Sequence, residues 1–399
     1  MRILHVTPYM HPSAGGPPVV VENFVRELNK VGHASEIVST SLFCQQGDEE
    51  HLITRLNTIA PTKFLPRSKL FGYVQSRRLV RERIRTTDIV HVHTLWHPIN
   101  YAVRLECVQQ SKPFVLMPHG MLDPYSLGVK SWRKAAYLWA IERSNISAAS
   151  RVIYTTREEE RLATDAIPAN PKSVVIPLGA DGPTDKTDVL AARFAERYPN
   201  VRGRRRLLFL GRLHEKKGLD RVLNVLPSLI ERTPDIVLII VGDGEDSYEA
   251  ALDSAIVKRG LTRHVVKTGR LDGLMKWGAY AASEIFLLPS RQENFAIAVA
   301  EAMHMSLPVV ISDRVNIWPD VESANAGFVL KEREIEAELL NAISILLSDD
   351  PLRTTMGQQG RIFAEGNFTW AIAAERLLSC YREVLSLHSA SGGVSSTRW

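Results

Sequence analysis

Two glutamates, eight positions apart, bound the stretch of this sequence whose residue types could do chemistry. Glu293 and Glu301 lie in the segment EIFLLPSRQENFAIAVAEAM. Its apolar run IFLL predicts a buried strand, and the alanine-rich run predicts a helix that starts near Asn294 or Phe295. Free N–H groups at a helix start suit an anion such as a diphosphate, and flanking carboxylates suit hydroxyl groups. A nucleotide-sugar combines these groups, while a capped helix with two solvated glutamates is the simpler alternative.

A cationic loop follows another predicted strand, at residues 207–210. In the segment GRLHEKKGL, Arg212 and Lys217 lie where the carboxyl end of a parallel strand places ligand-binding residues. A guanidinium and an ammonium there could neutralise a diphosphate without a metal ion. The alternative is that these residues form only a solvated cationic loop. The presence of the segment that carries Glu293 and Glu301 argues against this alternative. No Asp-x-Asp sequence follows a strand, so the sequence predicts no metal site.

Glycines and histidines mark the first half of the chain. Gly15 and Gly16 lie between the first strand and the first helix, where they would let the backbone approach a ligand closely. His91 and His93 end one predicted strand, and His119 follows another in the segment MPHGM. The glycine after His119 predicts a sharp turn into a cleft and favours this histidine as the functional one. A hydrogen-bonded structural role is the alternative for each histidine.

Other sequence patterns favour or exclude whole classes of protein. The segment VGDGEDS lacks the last glycine of a dinucleotide fingerprint, so an NAD-dependent dehydrogenase is disfavoured. Neither a P-loop nor a G-x-S-x-G elbow is present. The stretch from Lys63 to Arg85 interleaves basic with apolar and aromatic residues, which predicts an amphipathic helix on an anionic membrane or a solvated helix face. No nucleic-acid-binding motif accompanies this charge.

Composition indicates an ordinary globular protein. The 399 residues are 45% apolar and 23% charged, with a formal net charge of +5. No apolar run reaches the length of a membrane span, and no signal peptide is visible at the start. Three widely separated cysteines argue against a disulfide framework and predict a reducing, cytoplasmic location.

Strand-like and helix-like segments alternate through the chain, which predicts an α/β fold with two doubly wound domains. A Gly- and Pro-rich segment at residues 177–183 is the predicted linker. The expected divisions are residues 1–178 for the first domain, 179–368 for the second and 369–388 for a final helix. The Ser- and Gly-rich tail, residues 389–399, is expected to be disordered.

In combination these motifs resemble the family 4 retaining glycosyltransferases of the GT-B fold, over about residues 2–385. The paired acids Glu293 and Glu301, the G-R-x-x-x-x-K-G pattern of GRLHEKKG, the glycine loop followed by Gly32-His33, the IVHVH strand and the final helix carry the resemblance. It implies two Rossmann-like domains with a cleft between them, and a final helix that crosses back to the first domain.

The resemblance also implies roles for individual residues. Arg212 and Lys217 would hold the diphosphate of a nucleotide-sugar, assisted by backbone N–H groups near Phe295 and Ala296. Glu301 would bind the ribose and Glu293 the donor sugar. The remaining donor contacts would come from His119, Gly15, Gly16, Asn294, Arg270 and Leu271, the last two beside the base.

Three positions depart from the family pattern. Asn294 and Ala296 replace the glycines of E-G-F-G, and Ser306 replaces a glycine two residues before Pro308. The linker reads PLGAD, where Asn-Gly-Val-Asp is commoner. These departures are expected to affect sugar identity more than the fold.

The predicted function is a retaining, metal-independent hexosyltransferase without a cofactor. The donor is expected to be GDP-mannose or a UDP-hexose, and the acceptor a saccharide or a polyprenyl-linked sugar. The enzyme would work in cell-surface polysaccharide or lipopolysaccharide biosynthesis, peripherally at the inner face of the plasma membrane, without nucleic acid. A nucleotide-sugar epimerase and a non-catalytic nucleotide-sugar binding protein are the alternatives.

Overall fold

Short apolar runs alternate with helices along the chain and form two separate parallel sheets. A computed structural model describes residues 1–44, 48–65, 71–129, 131–167, 172–183 and 185–392. The chain divides into unit 1, which comprises Met1–Leu178 and Trp370–Trp399, and unit 2, which comprises Gly179–Thr369.

In its described residues up to Leu178, unit 1 has seven strands and eight α-helices. In chain order the elements are β1 (Arg2–Val6), a 3-10 turn (Pro12–Ala14), α1 (Gly16–Lys30), β2 (Ala34–Thr40), α2 (Asp48–Asn57), β3 (Thr62–Leu65), α3 (Phe71–Arg85), β4 (Ile89–His93), α4 (Pro98–Gln109), β5 (Phe114–Met117), α5 (Pro124–Gly128), α6 (Ser131–Tyr137), a π-helical turn (Leu138–Glu142), α7 (Arg143–Ala148), β6 (Arg151–Tyr154), α8 (Arg157–Ala166) and β7 (Ser173–Val175).

Unit 2 repeats the alternation. Its elements are α9 (Thr187–Arg197), a 3-10 turn (Pro199–Val201), β8 (Arg205–Leu210), a 3-10 turn (Glu215–Lys217), α10 (Leu219–Arg232), β9 (Ile236–Val241), α11 (Asp246–Lys258), β10 (Val265–Gly269), α12 (Gly273–Ala281), β11 (Ile285–Leu288), α13 (Ile297–His304), β12 (Val309–Ser312), α14 (Trp318–Ser323), β13 (Gly327–Leu330), a 3-10 turn (Glu332–Glu334), α15 (Ile335–Ser348) and α16 (Asp350–Asn367). The chain then returns to unit 1 as α17 (Trp370–Gly392).

The two sheets share one topology. Unit 1 has the strand order β3-β2-β1-β4-β5-β6-β7, and unit 2 has the order β10-β9-β8-β11-β12-β13. All neighbouring strands in both sheets are parallel. The order reverses between β1 and β4 and again between β8 and β11, and ligands bind at the carboxyl ends of strands at such reversals. The predicted doubly wound α/β fold is therefore confirmed.

The last helix completes the core of unit 1. The ring of Trp370 packs edge-on against Phe24 of α1 with centroids 5.7 Å apart. The Tyr381 hydroxyl lies 2.7 Å from Nδ1 of His91 on β4. The helix that the resemblance expected to cross back therefore packs within unit 1. Among the described helices, none is long and apolar enough to cross a membrane.

Two predicted helices differ from the structure. The sequence predicts one continuous helix over residues 131–146, and the structure interrupts it with the π-helical turn Leu138–Glu142. The final helix extends to Gly392, so the prediction of disorder from residue 389 is wrong for residues 389–392. Within this extension the Ser389 hydroxyl donates to the Leu385 carbonyl at 2.9 Å, which satisfies it inside the helix. Residues 393–399 lie outside the described residues.

Ser306, one of the three departures from the family pattern, adopts a left-handed backbone conformation with φ of 58°. It follows the end of α13, where glycine is favoured because a side chain there meets its own backbone. We expect Ser306→Gly to raise the free energy of unfolding by up to about 1 kcal/mol. Urea denaturation measures the change.

Ser254→Gly is the matched control, because Ser254 lies inside α11 with helical backbone angles. There glycine should lower the free energy of unfolding by about 0.5 kcal/mol. Equal effects of the two substitutions would contradict a strained backbone at Ser306.

Candidate functional site

Two loops of unit 2 meet at the carboxyl edge of its sheet. They follow the adjacent strands β8 and β11. The Arg291 N–H donates to the Lys216 carbonyl at 2.7 Å. Gly218 adopts a φ of 71°, and a Cβ at that position would lie 2.0 Å from the Pro289 carbonyl oxygen. Glycine is therefore required where the two backbones touch.

An ion pair joins these loops. The Lys217 ammonium lies 2.7 Å from Oε1 of Glu293, and the Lys216 ammonium lies 3.8 Å from the same atom. Glu293 is 9% exposed. Burial would raise the pKa of this carboxyl, but Lys217, Lys216 and Arg212 outweigh it and hold the pKa below its usual range. The structure thus brings together Lys217 and Glu293, two of the predicted site residues.

Arg291 fixes the loop that carries Lys217, and the sequence analysis missed it. Its guanidinium donates to both carboxylate oxygens of Asp220, at 2.9 and 2.7 Å, and to the Glu215 carbonyl at 2.7 Å. This fork of hydrogen bonds ties the 3-10 turn to the start of α10. The adjacency of Arg291 to Glu293 was its only signal in the sequence.

Glu301 is held by two residues of α12 that the sequence analysis also missed. Lys276 donates to Oε1 at 2.7 Å, and the Tyr280 hydroxyl donates to Oε2 at 2.9 Å. Burial and the neighbouring Glu301 together keep the pKa of Tyr280 well above its ordinary value. Tyr280 therefore remains a hydrogen-bond donor and fixes the direction of the carboxylate.

The segment between the two glutamates differs from its prediction. Helix α13 begins at Ile297, not at Asn294 or Phe295, because Ala296 adopts a left-handed conformation with φ of 55°. The ring of Phe295 is buried against Phe368 with centroids 5.1 Å apart. The Phe295 side chain is thus a core residue, and only its backbone could meet a ligand.

Among the remaining predicted residues of unit 2, Arg212 acts on Glu293 only through its charge, and Arg270 and Leu271 lie on another loop. Arg212 follows β8 directly and is exposed. Arg270 and Leu271 follow β10, the edge strand, and Arg270 pairs with Asp272 at 3.3 Å. The segment VGDGEDS is a turn after β9, in which a Cβ on Gly242 would lie 1.9 Å from the Gly211 carbonyl. Close packing against Gly211, not a dinucleotide fingerprint, accounts for this glycine.

Unit 1 contains an array of four histidines, of which His5, His91 and His93 are buried and His119 is half-buried. His119 follows β5 with φ of 55°, and its Nε2 lies 3.1 Å from Nδ1 of His93. Nε2 of His93 lies 3.1 Å from Nδ1 of His5. His91 completes the array, its ring stacked on that of His93 with centroids 4.0 Å apart. The sequence singled out His119, and the structure joins it to the core.

Burial keeps all four imidazoles neutral. It lowers the pKa of His5 and of His119 to about 3, and it lowers those of His91 and His93 well below their usual value, with the neighbouring histidines adding to the effect. A neutral imidazole has one donor and one acceptor nitrogen. In the hydrogen-bonded series His5, His93 and His119, the tautomer of each imidazole is therefore coupled to that of the next.

His5, His91 and His93 also form a group that could hold a metal ion, since one nitrogen of each lies within 4.8 Å of the others. All three ligands would be neutral, so a divalent ion would bring two uncompensated charges into a buried site. The hydrogen-bonded array is the better account of this chemistry. That the protein needs no metal stays a prediction.

Glu159 holds the loop that carries His119. Its Oε1 accepts from the Gly120 N–H at 2.5 Å, and its Oε2 accepts from the Thr155 N–H and hydroxyl, both at 2.7 Å. Glu159 lies in the first turn of α8, which Thr156 caps. The segment REEER resembles a solvated charged helix, so nothing in the sequence distinguished this glutamate from its neighbours.

The predicted glycine loop of unit 1 is open. Gly15 precedes α1 and Gly16 is the first residue of that helix. A Cβ at either position would meet nothing within 4 Å. Packing therefore leaves the start of α1 accessible, as a ligand approach there would require.

Comparison with known proteins agrees with this architecture. The model described as Glycosyltransferase Family 4 matches residues 14–182, and the model described as Glycosyl transferases group 1 matches residues 193–363. The chain belongs to glycosyltransferase family 4. Its fold is that of the GT-B enzymes.

The sequence similarity to known proteins covers almost the whole length of this glycosyltransferase. The GDP-mannose:cellobiosyl-diphosphopolyprenol alpha-mannosyltransferase of Xanthomonas oryzae is 26% identical over 97% of this chain and 98% of its own. The GDP-mannose-dependent alpha-mannosyltransferase of Mycolicibacterium smegmatis is 25% identical over 98% and 99%. The structure of Anabaena HepE in complex with UDP has a TM-score of 0.79 at 18% identity, over 96% of this chain and 100% of HepE.

Removal of Lys217 leaves a buried carboxylate without its nearest cation. We expect Lys217→Met to lower the free energy of unfolding of the glycosyltransferase by about 1–3 kcal/mol, because Lys216 and Arg212 compensate only in part. In a protein that already carries Glu293→Gln, Lys217→Met should lower the free energy of unfolding by less. A double-mutant cycle in urea measures this coupling, and additive effects would contradict a stabilising pair.

The histidine array predicts acid sensitivity. The unfolded chain binds these protons near the ordinary pKa of 6.5, whereas folded His5 and His119 bind them only near pH 3. Protonation thus favours unfolding, and stability falls as the pH falls from 6.5 towards 3. When the pH falls from about 7 to 5.5, each such histidine should lower the free energy of unfolding by about 1 kcal/mol.

Chemical denaturation of the native protein and of His5→Gln at both pH values tests this expectation. The loss of stability on acidification should be smaller by about 1 kcal/mol in His5→Gln. The control is His51→Gln, at an exposed position on α2, which should keep the native pH dependence. An unchanged pH dependence in His5→Gln would contradict the neutral array.

Proposed function

We propose that this glycosyltransferase moves a mannosyl group from GDP-mannose to a saccharide carried on a polyprenyl diphosphate. The Lys217–Glu293 pair, with Arg212 beside it at the carboxyl edge of unit 2, is the observation that carries the proposal. The names of the Xanthomonas and Mycolicibacterium relatives support GDP-mannose. The UDP in the HepE structure makes a UDP-hexose the second candidate.

Donor binding would exchange partners within the ion pair. In the free site the Lys217 ammonium contacts Glu293 at 2.7 Å. A nucleotide-sugar offers a diphosphate to Lys217 and Arg212, and sugar hydroxyl groups to the Glu293 carboxylate. The cations thereby gain an anionic partner and the carboxylate gains hydrogen-bond donors. A free sugar would supply only the donors, and a free phosphate only the anion.

Glu301 would take the ribose. Its carboxylate accepts from Lys276 and Tyr280, and each oxygen has lone pairs left for hydroxyl donors. Because Tyr280 is buried and fixed, the carboxylate is already oriented before the donor arrives. Such preorganisation reduces the entropy lost on binding.

Transfer would proceed on one face of the sugar. The bond between the anomeric carbon and the diphosphate oxygen breaks, and the bond to the acceptor oxygen forms on the same side. The acceptor's proton passes to the leaving diphosphate, whose charge Arg212 and Lys217 neutralise. Configuration is retained without a covalent intermediate, a metal ion or a cofactor. His119, in its neutral form, would hydrogen-bond the donor sugar.

The acceptor fixes where the enzyme would work. A polyprenyl-linked saccharide is confined to a membrane, so we place the reaction at the cytoplasmic face of the plasma membrane, in the assembly of a cell-surface polysaccharide or lipopolysaccharide. The Xanthomonas relative, whose name specifies a diphosphopolyprenol acceptor, supports this assignment.

A transfer assay tests the proposal. The protein is incubated with a short-chain polyprenyl diphosphate disaccharide and either GDP-mannose or a panel of UDP-hexoses, with and without EDTA. We expect one labelled lipid product, formed from GDP-mannose and unaffected by EDTA, with an α-linkage by NMR. Donor converted to another nucleotide-sugar without acceptor would indicate an epimerase instead.

Ligand-induced thermal stabilisation tests the assigned site without an acceptor. At about one hundred times Kd, the donor should stabilise the native protein by about 2.7 kcal/mol. Glu301→Ala and Lys217→Ala should each abolish most of this gain. The matched control is Lys267→Ala, which also removes an ion-paired lysine of unit 2, 2.7 Å from Asp253, and should keep the full gain.

Loss of the gain in Lys267→Ala as well would contradict the assigned site. Donor binding that is intact but never followed by transfer, with any acceptor in the panel, would favour a non-catalytic binding protein.

A further inference from the structure

An exposed face rich in tryptophan and alanine follows His119 in unit 1. Trp132 on α6 is 72% exposed and Trp139 in the π-helical turn is 76% exposed. Ala135, Ala136 and Ala140 lie between and after them and are exposed as well. We call these five residues the tryptophan face. Their spacing of three to four places them along one side of the helical segment.

The opposite side of this segment is anchored in unit 1. Ile146 belongs to the hydrophobic core, and Leu138 packs against that core. Buried Glu142 accepts from the Trp96 N–H at 2.8 Å and from the Asn145 amide at 3.0 Å. These contacts hold the helical segment against the core of unit 1, and the two tryptophans lie on its other, exposed side. Large side chains so exposed mark an interaction surface.

The charges around the tryptophan face are of one sign. Arg133 and Arg143 are exposed, and neither forms an ion pair with any residue that the structure describes. Arg133 lies over the Trp132 ring, 5.1 Å from its centroid. Glu142 is the single carboxylate between Pro124 and Ala148, and it is buried. The exposed charge of the segment is therefore positive.

Most arginines of α3 differ in this respect. Arg77 and Arg81 both pair with buried Glu106, at 2.6 and 2.9 Å. Arg83 pairs with Glu36 at 2.8 Å. These three arginines thus share two carboxylates, and Arg78 pairs with Glu82 at 3.4 Å. Arg85 is exposed and forms no ion pair with a described residue. In its described part, the stretch from Lys63 to Arg85, for which the sequence left membrane contact and a solvated helix face open, therefore has four of the five arginines of α3 paired with carboxylates; residues 66–70 lie outside the described residues.

We propose that the tryptophan face docks on an anionic lipid bilayer. Tryptophan rings settle at the boundary between head groups and acyl chains, and flanking arginines attract anionic head groups. A bilayer fits better than a protein partner, because the two exposed indole rings flank small alanine side chains and the exposed charge of the segment is positive. The proposal adds to the proposed function the surface by which the enzyme reaches a lipid-linked acceptor, but it does not depend on turnover.

This docking would also set the direction of unit 1. His119 and its loop end at the carboxyl edge of the sheet, and α5 begins only a few residues later at Pro124. Trp96, in the loop after β4 at this carboxyl edge, donates its N–H to Glu142 of the segment, so the tryptophan face lies near the same edge of the unit as the histidine. Membrane contact through it would turn that edge towards the lipid surface.

Vesicle co-sedimentation of the full chain tests the proposal. The probes are vesicles of phosphatidylcholine alone and of equal parts phosphatidylcholine and phosphatidylglycerol. We expect binding to the anionic vesicles, weakened by salt. Trp132→Ser with Trp139→Ser should reduce the partition coefficient about tenfold or more, and Arg133→Gln with Arg143→Gln should reduce it on anionic vesicles only.

Matched variants keep the result specific. Ile362→Ser with Val257→Ser removes two apolar side chains of unit 2 that are 72% and 68% exposed, and should leave binding unchanged. Arg78→Gln with Arg85→Gln removes two cations of α3 and should have little effect. A larger loss in this α3 variant than in the tryptophan variant would overturn the proposal.

Two further outcomes would also overturn it. One is equal binding by the native protein and the tryptophan variant, provided that both show the same circular dichroism. The other is a native dimer that the tryptophan variant dissociates, since the face would then join two copies of the chain. Vesicle binding without sugar transfer would refute the proposed function alone, and transfer without vesicle binding would refute the docking alone.

Discussion

The contact between the loops after β8 and β11 is the constraint on which the rest of unit 2 depends. Lys217 and Glu293 are far apart in sequence, and they meet because adjacent parallel strands end at the same edge of the sheet. Gly218 permits the approach, because any side chain there would strike the Pro289 carbonyl. Arg291 then fixes the turn against Asp220. Backbone packing thus determines the spacing of the charges, and the charges in turn compensate for their own burial.

Unit 1 keeps its buried polar groups by a different means. Four imidazoles lose their charge instead of pairing it, and hydrogen bonds or stacking relate each ring to the next. The array presents a neutral, oriented nitrogen at His119, whereas unit 2 presents cations and carboxylates. A neutral edge suits the hydroxyl groups of a sugar, and a charged edge suits a diphosphate.

The fold could be predicted from the sequence because its strands are continuous apolar runs. The bounds of β11 are those of the predicted IFLL strand, and β4 ends at His93 as predicted. Lys217 and Glu293 could be paired because loops after neighbouring strands share an edge. The start of α13 could not be predicted from the sequence, because an alanine gives no indication that its backbone is left-handed, as it is at Ala296.

Residues whose role depends on tertiary contacts could not be identified from the sequence either. Glu159 reads as one of three surface glutamates, yet it is 2% exposed and holds the His119 loop. Lys276 and Tyr280 lie on α12, a helix that carried no motif, and they orient Glu301 only because of how α12 and α13 pack. Local patterns specify secondary structure, whereas such contacts depend on the assembled chain.

The split of unit 1 along the sequence has a consequence for synthesis on the ribosome. Its core needs Trp370 and Tyr381, which are made only after all of unit 2. At about 5–20 residues per second, the sheet of unit 1 waits roughly 10–40 s for its last helix. Phe24 and His91 lack their partners during that interval, while unit 2 is continuous and can close first. The nascent chain would therefore complete its second unit before its first, and the waiting apolar surface of α1 is the region where chaperone contact would matter most.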